Sequence, residues 1–461
     1  MSPGRPYRCR NKAFHCAFAG VLIVLAWVPA GPALALTQQD IDWCLGKNAT
    51  PDSQVNGCTA VIQSGTAAGN DLASAYQNRG LAHVKRGDFE VAIADFSEAI
   101  RLNPQSAKPY NDRGFSYARR GDLDHAIADY DQAVRLDPRY SLALRNRGLA
   151  YLIKHEYDRA IADYDAAIRI DPKDIAAYID RGNVYHVKGD LDGAIADFDE
   201  AIRLDPSLAP PYSNRCYAYY HKGDQDRALA DCNEAIRLGP ERSEFYVNRG
   251  LVYRAKGDQD RAIADYDEAI RLNPTIATAY LGRGNSYFAK DNYSRAIADY
   301  DEAIRIAPKY ADAYLRRGMA NLYSGALPNA VADLNRANEA DPKNAYAALW
   351  LDIADRRSNQ PRRLAEAARQ VDMSKWPGPV IRLYLGQLTP AALLTAADDP
   401  DAKTKRDRVC QANFYTGELG LQARPSDDVM RLFRLVVADC PRTLTEWFAA
   451  DAELNAVGAS H

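Results

Sequence analysis

After residue 35 the chain has no apolar run of membrane-spanning length, no strongly basic block and no long polar low-complexity tract. Each absence removes a class of function. Nucleic-acid binding needs clustered cations to neutralise phosphates, and 58 Lys and Arg against 61 Asp and Glu give a formal charge of −3. Neither a G-x-S-x-G, an HExxH nor a Walker-type loop occurs, so no catalytic residue is nominated and no cofactor is expected. CxxC and CxxH spacings are missing too, which leaves no metal or redox motif. What remains is a folded composition, 47% hydrophobic and 26% charged.

The first 35 residues form an export signal by pattern. Arg5, Arg8, Arg10 and Lys12 precede an apolar run from Ala17 to Val28, and Ala33-Leu34-Ala35 supplies a small-x-small cleavage site. Cleavage is expected after Ala35, which places the mature protein in the periplasm or outside the cell. The leader carries four bases and no acid, so its loss takes the formal charge from −3 to −7. Cys16 stands before the apolar run rather than after it, so no lipid anchor is expected, and no integral membrane segment remains after cleavage.

Internal repetition organises everything after residue 72. Arg-Gly recurs at 79, 113, 147, 181, 249, 283 and 317, always in a 34-residue register, with Arg215-Cys216 filling the one gap. Eight units therefore span 73–341 without an insertion. With the glycine as position 8, positions 20 and 27 are alanine in every unit (Ala92 to Ala330, Ala99 to Ala337) and position 32 is proline (Pro104 to Pro342). Positions 4, 11 and 24 are mostly Tyr or Phe, as at Tyr178, Tyr185 and Phe198. Apolar residues at 4, 8 and 11 and at 20, 21, 24, 27 and 28 have helical spacing on two successive segments. Lys-Gly-Asp at 188–190 and 256–258 ends one helix and starts the next. This pattern resembles the tetratricopeptide-repeat (TPR) family, and implies an all-α, right-handed α-solenoid of stacked helical hairpins. Arginine at position 7 and aspartate at position 23 accompany each other in all eight units (Arg79 with Asp95 through Arg317 with Asp333), which predicts a repeated ion pair between helices rather than an anion-binding ladder.

The flanks differ, as solenoid caps do. Residues 36–72 read as an N-terminal cap, with helices over Asp40–Leu45 and Gly57–Gln63 around a polar loop. Residues 342–461 read as diverged hairpins: Tyr346–Asp355 with Arg362–Val371, Val380–Leu388 with Pro390–Ala397, and a last unit over Cys410–Cys440 whose Gly417 and Phe433 take positions 8 and 24.

Six cysteines follow the leader, an even number in an exported chain. Cys216 holds position 8 and Cys232 position 24 of one unit, and Cys410 and Cys440 hold positions 1 and 31 of the last. Both pairs sum to 32, and in an antiparallel hairpin positions of constant sum face each other at one level. The expected disulfides are Cys216–Cys232, Cys410–Cys440 and, by elimination, Cys44–Cys58.

The TPR resemblance implies that positions 2, 5, 6, 9, 12 and 13 line a concave face. Position 6 reads Asn78, Asp112, Asn146, Asp180, Asn214, Asn248, Gly282 and Arg316. A row of this kind can hydrogen-bond an extended peptide, and it resembles the asparagine ladder of O-linked N-acetylglucosamine transferases. The other reading of the row is polar tolerance beside the repeated arginine. Phe115 and Tyr217 at position 9, Tyr220 and His186 at position 12, and His221 at position 13 add apolar and imidazole contacts. The row lapses after Asn248, so any peptide site is expected over the first six repeats.

Trp376-Pro377-Gly378-Pro379, Tyr384-Leu385-Gly386-Gln387 and Cys410-Gln411-Ala412-Asn413-Phe414-Tyr415 are similar to the tail of periplasmic TPR proteins of the NlpI-like family. That family brings cell-wall endopeptidases to a processing protease. The function read here is a non-enzymatic adaptor that binds a protein or peptide partner in its groove. The alternative is a homo-oligomeric scaffold assembled through the C-terminal helices.

Overall fold

The computed structural model describes residues 36–423 and 426–456, so the leader and its cleavage site lie outside the described residues. Every regular element among the described residues is helical. Contacts group them into two compact units that meet between Leu136 and Asp137.

The first unit opens on α1 (Gln38–Cys44) and α2 (Pro51–Ser64), joined by the Cys44–Cys58 disulfide. Two repeat hairpins follow: α3 (Gly69–Arg86) with α4 (Phe89–Leu102), and α5 (Ala107–Arg119) with α6 (Leu123–Leu136). Helix α2 begins six residues before the expected Gly57, because Thr50 caps it and Pro51 sits in its first turn, where the missing N–H costs nothing.

The second unit continues the hairpins with α7 (Ser141–Ile153) and α8 (Tyr157–Ile170), α9 (Ile175–Lys188) and α10 (Leu191–Leu204), α11 (Ala209–Lys222) and α12 (Gln225–Leu238). Next come α13 (Ser243–Ala255) and α14 (Gln259–Leu272), α15 (Ala277–Phe288) and α16 (Tyr293–Ile306), and α17 (Ala311–Tyr323) and α18 (Leu327–Ala340). The C-terminal part holds α19 (Ala345–Arg357), α20 (Leu364–Ala367), α21 (Gly378–Tyr384), α22 (Pro390–Ala396), α23 (Ala402–Ala423), α24 (Asp427–Asp439) and α25 (Thr445–Ala456).

Six of the eight repeat hairpins are closed by the glycine at position 8 lying under the ring at position 24, and in the eighth Gly318 lies under Leu334. A Cβ on Gly182 would come within 2.7 Å of the Phe198 ring, and one on Gly284 within 2.6 Å of Tyr300. Cys216 and Cys232 replace this ring contact with a disulfide, and Cys410–Cys440 joins α23 to the residue after α24. Gly417 under Phe433 repeats the same packing in the last hairpin.

The position-7 arginines tie helices together. Arg79 donates from Nε and Nη2 to both carboxylate oxygens of Asp95, at 2.9 and 2.7 Å. Seven further units repeat this fork, from Arg113 with Asp129 to Arg317 with Asp333. The remaining Nη1 donates to the preceding unit: Arg113 to Ser97 at 3.0 Å, Arg249 to Asn233 at 2.9 Å, Arg283 to Asp267 at 2.5 Å. One guanidinium thus joins three helices, a bidentate fork with a spare donor that lysine cannot offer.

The hairpin turn needs a left-handed residue at position 15. Six repeats supply glycine there, with φ between +81° and +85°, whereas His155 (+61°) and Asp291 (+54°) adopt it with a side chain. An L-residue pays for this conformation, so His155→Gly should raise thermal stability by about 1 kcal/mol. A melting curve checks it, the offset being loss of the 2.9 Å contact from His155 Nδ1 to the Tyr157 hydroxyl.

The C-terminal segments depart most from expectation. The segment expected to be helical from Arg362 to Val371 keeps only α20, because Arg362 and Arg363 turn back to the buried carboxylates of Asp352 and Asp355. Helix α23 starts eight residues before Cys410, and α25 has no counterpart in the repeat pattern.

Candidate functional site

The face to consider is that of the first helix of each hairpin, at positions 2, 5, 6, 9, 12 and 13. In the second unit its two ends have opposite fates. On α7, Leu142, Leu149 and Ile153 are spaced seven and four residues apart and share one side of the helix; all three are exposed, Leu149 by 49%. Val187, on the next such helix, is exposed as well. At the far end, Met319 holds the same position 9 as Leu149 yet is 1% exposed, and Phe288 is buried beside it.

The cover is the chain's own C-terminus. Phe448 of α25 packs against the cluster that contains Phe288 and Met319. Arg316 Nη1 donates to Thr445 Oγ1 at 2.5 Å while its Nε reaches Asp312 at 3.3 Å. This accounts for the lapse of the position-6 row at Arg316. Gly282 has a different reason, since a Cβ there would stand 2.5 Å from the Tyr266 ring.

Where the row persists, its polar groups bridge adjacent hairpins. Asn214 Nδ2 donates to Asn183 Oδ1 at 3.0 Å, and Asn248 Nδ2 to Ser213 Oγ at 2.9 Å. Asp180 accepts from Arg145 at 3.2 Å, and burial pushes its carboxyl up despite that cation. Asn146 is half-buried at the same position on α7. In the first unit Asp112 accepts from Gln77 at 2.7 Å and from Asn111 at 3.2 Å, and burial raises its carboxyl too. Asn78 lines a cavity beside the N-terminal cap with Ile41, Cys44 and Val61. Phe115 lies under the Arg119 guanidinium, 5.8 Å from its ring centroid.

Four of the expected residues and positions do come together. His186, Tyr217, Tyr220 and His221 form one ring cluster across α9 and α11, with centroids 5.1 Å apart for His186–Tyr217 and 4.5 Å for Tyr217–His221. His186 and His221 are themselves 5.1 Å apart, and Tyr220 stands 5.1 Å from His221. Burial pushes both imidazoles down from their ordinary value, aided by His221 for His186 and by Lys403 for His221, which favours the neutral rings. His186 Nε2 is buried and has no hydrogen-bond partner. Among the described residues no group of three or more His, Cys, Asp or Glu is placed to hold a metal.

Sequence reasoning missed Arg254, at position 12 of α13. Its Nε is buried without an acceptor, and it shares a cavity with Phe288, Arg316, Met319, Thr445 and Phe448. Position 12 of the preceding repeats is aromatic, aliphatic or imidazole, and the change to arginine is the signal that a position-by-position reading would have found.

The strongest buried titratable cluster is elsewhere. Arg357 Nη2 donates to Glu418 Oε2 at 2.7 Å and to Glu453 Oε1 at 2.5 Å, where α19, α23 and α25 meet. Neither carboxylate lines a cavity described above.

A TPR-repeat family model matches residues 182–223, 250–291 and 284–322, and a second tetratricopeptide-repeat model matches 78–138 and 111–175. No curated protein matches the chain. Similar solved structures include a tetratricopeptide repeat protein from Parabacteroides merdae, 19% identical, covering 54% of this chain and 99% of that one at a TM-score of 0.47. PilF of Pseudomonas aeruginosa is 20% identical, over 46% of this chain and 96% of that one, at 0.41. MamA of Desulfovibrio magneticus is 24% identical, over 37% and 97%, at 0.35. With the arginine-linked helical hairpins, the described residues form an all-α solenoid that is similar to tetratricopeptide-repeat proteins over the matched segments 78–175, 182–223 and 250–322.

Proposed function

We propose that this protein is a non-catalytic adaptor, exported to the periplasm, whose concave face, formed by the first helices of the hairpins from α7 to α13, docks a segment of another protein. The observation that carries the reading is the contrast along that face. Its far end is covered by the chain's own α25, while Leu142, Leu149, Ile153 and Val187 lie bare beside a ring cluster. Tetratricopeptide repeats serve protein–protein contact in general, and amphipathic segments laid in a groove bury apolar side chains at helical spacing. Three disulfides suit an oxidising compartment. The similarity of the C-terminal segments to NlpI-like proteins makes a cell-wall enzyme the first partner class to try.

The test is a random-peptide display selection on residues 36–461, followed by binding measurements on synthesised peptides. Leu149→Asp places a charge in the bare stripe without touching the core. It should weaken selected peptides by at least about tenfold, with an unchanged melting curve. Peptides that bind both forms equally, or no peptides at all, would remove the groove from the account.

A further inference from the structure

We propose that the partner segment is acidic as well as apolar, and that Arg254 is the residue that pairs with its carboxylate. This deepens the adaptor reading and rests on it. The position-7 arginines are all matched by carboxylates, as the eight forks show. Arg254 is not: no carboxylate stands within ion-pair distance of it among the described residues, and its Nε is buried without an acceptor. A half-buried guanidinium left in this state is costly unless something supplies the countercharge.

Its place in the row says what that something is. Arg254 lies beside Tyr266, whose hydroxyl also feels Tyr220 of the ring cluster, and it lines the cavity shared with Thr445 and Phe448. It therefore sits between the bare stripe and the covered one. Beyond it, α25 shows which groups this face accepts. The helix brings an aromatic ring to Phe288 and Met319, a hydroxyl to Arg316, and the carboxylate of Glu446 close enough to act on Arg316. The self-supplied helix thus satisfies Arg316 and stops short of Arg254.

Among the described residues, other acids on the first helices of these hairpins already have cations. Asp180 is held by Arg145, Glu244 by Arg242 and Asp312 by Arg316. Lys403, exposed on α23, reaches Gly223 at the end of α11 and adds a second cation near His221. A segment that lays aliphatic side chains on Leu149 and Val187 and an aromatic one on the rings would meet Arg254 with its next polar residue. Asp or Glu there completes the pair.

The display selection described above supplies the probes. Peptides recovered on residues 36–461 should share an Asp or Glu among apolar residues. In fluorescence anisotropy, Arg254→Glu should weaken them by at least about tenfold, and replacing the peptide's acid with Lys should restore binding to that variant. Arg254→Gln, which keeps length and hydrogen bonding but no charge, guards against misfolding and should show the same direction. Peptides without an acid, or peptides indifferent to both Arg254 variants yet lost on Leu149→Asp, would overturn the acidic partner and leave the adaptor standing. Peptides indifferent to Leu149→Asp would overturn both.

Discussion

Arg357→Met should destabilise the protein by about 3–5 kcal/mol, the largest effect expected from a single substitution here. The guanidinium holds Glu418 and Glu453 at once, and both carboxylates are almost fully buried. Removing the cation leaves two acids facing each other without countercharge. Even with Arg357 present, burial pushes the Glu418 carboxyl up to about 7, with Glu453 adding to the rise and Arg357 opposing it. The sign follows from the raised value. The folded state holds the proton more tightly than the unfolded chain, so this group's contribution is complete below about 4.5 and is lost as pH rises through about 7. Thermal melts should therefore fall between pH 5 and pH 8, and Glu418→Gln should flatten that fall. In Arg357→Met the fall should steepen, and adding Glu418→Gln with Glu453→Gln should recover much of the loss. An Arg357→Met protein that melts as the parent does would mean that the carboxylates are solvated. Because Glu453 belongs to α25, the same substitution should loosen the helix that covers Phe288 and Met319.

The second large effect concerns the fifth repeat. Cys216→Ala with Cys232→Ala removes a crosslink between residues 16 apart, a term of about 3 kcal/mol. It also leaves a void where every other repeat packs a side chain against glycine, which raises the total toward about 4–5 kcal/mol. Cys216→Gly with Cys232→Tyr restores the packing seen at Gly250 under Tyr266 without restoring the crosslink. It should therefore melt between the parent and the alanine pair. Equal melting of the two double variants would show that the ring cannot be substituted into this repeat. Reduction of the parent with dithiothreitol gives the matching control. Tyr217 adjoins Cys216, so the ring cluster should lose order with the crosslink, and peptide affinity should fall with it.

Much of this fold was legible because the sequence writes the same interior eight times. Ala92 through Ala330, the Arg-Gly register and the position-23 aspartates each name a local contact that recurs within about half a repeat. The cysteine pairs obeyed the same geometry, since Cys216 and Cys232 replace the glycine and ring of a known level. What escaped was contact without a period. Arg316 meets Thr445 across 129 residues, and Arg357 meets Glu453 across 96; neither leaves a trace in the 34-residue register. The position-6 row shows the limit from another side. Hydrogen-bonding capacity at Asn214 and Asn248 was visible, but their bonds to Asn183 and Ser213 depend on how neighbouring hairpins pack. The exposed stripe on α7 was read only as position 9 of the face, which Leu149 holds, and burial elsewhere on the same face is what makes its exposure informative.

The three-helix reach of the position-7 arginines gives the array a direction. Within each compact unit Nη1 looks back toward the N-terminus for its acceptor, as at Arg113, Arg181, Arg215, Arg249, Arg283 and Arg317. A break on the C-terminal side of a unit bares only a serine, asparagine or aspartate such as Asn233 or Asp267, which water satisfies at little cost. A break on the N-terminal side strands part of a guanidinium that is itself only about one-fifth exposed. At the true beginning of the series the vacancy is filled from outside it, by Thr59 of α2, 3.2 Å from Arg79 Nη1. The N-terminal cap is thus the first acceptor in a one-way chain, and inside each compact unit a repeat leans on the one before it.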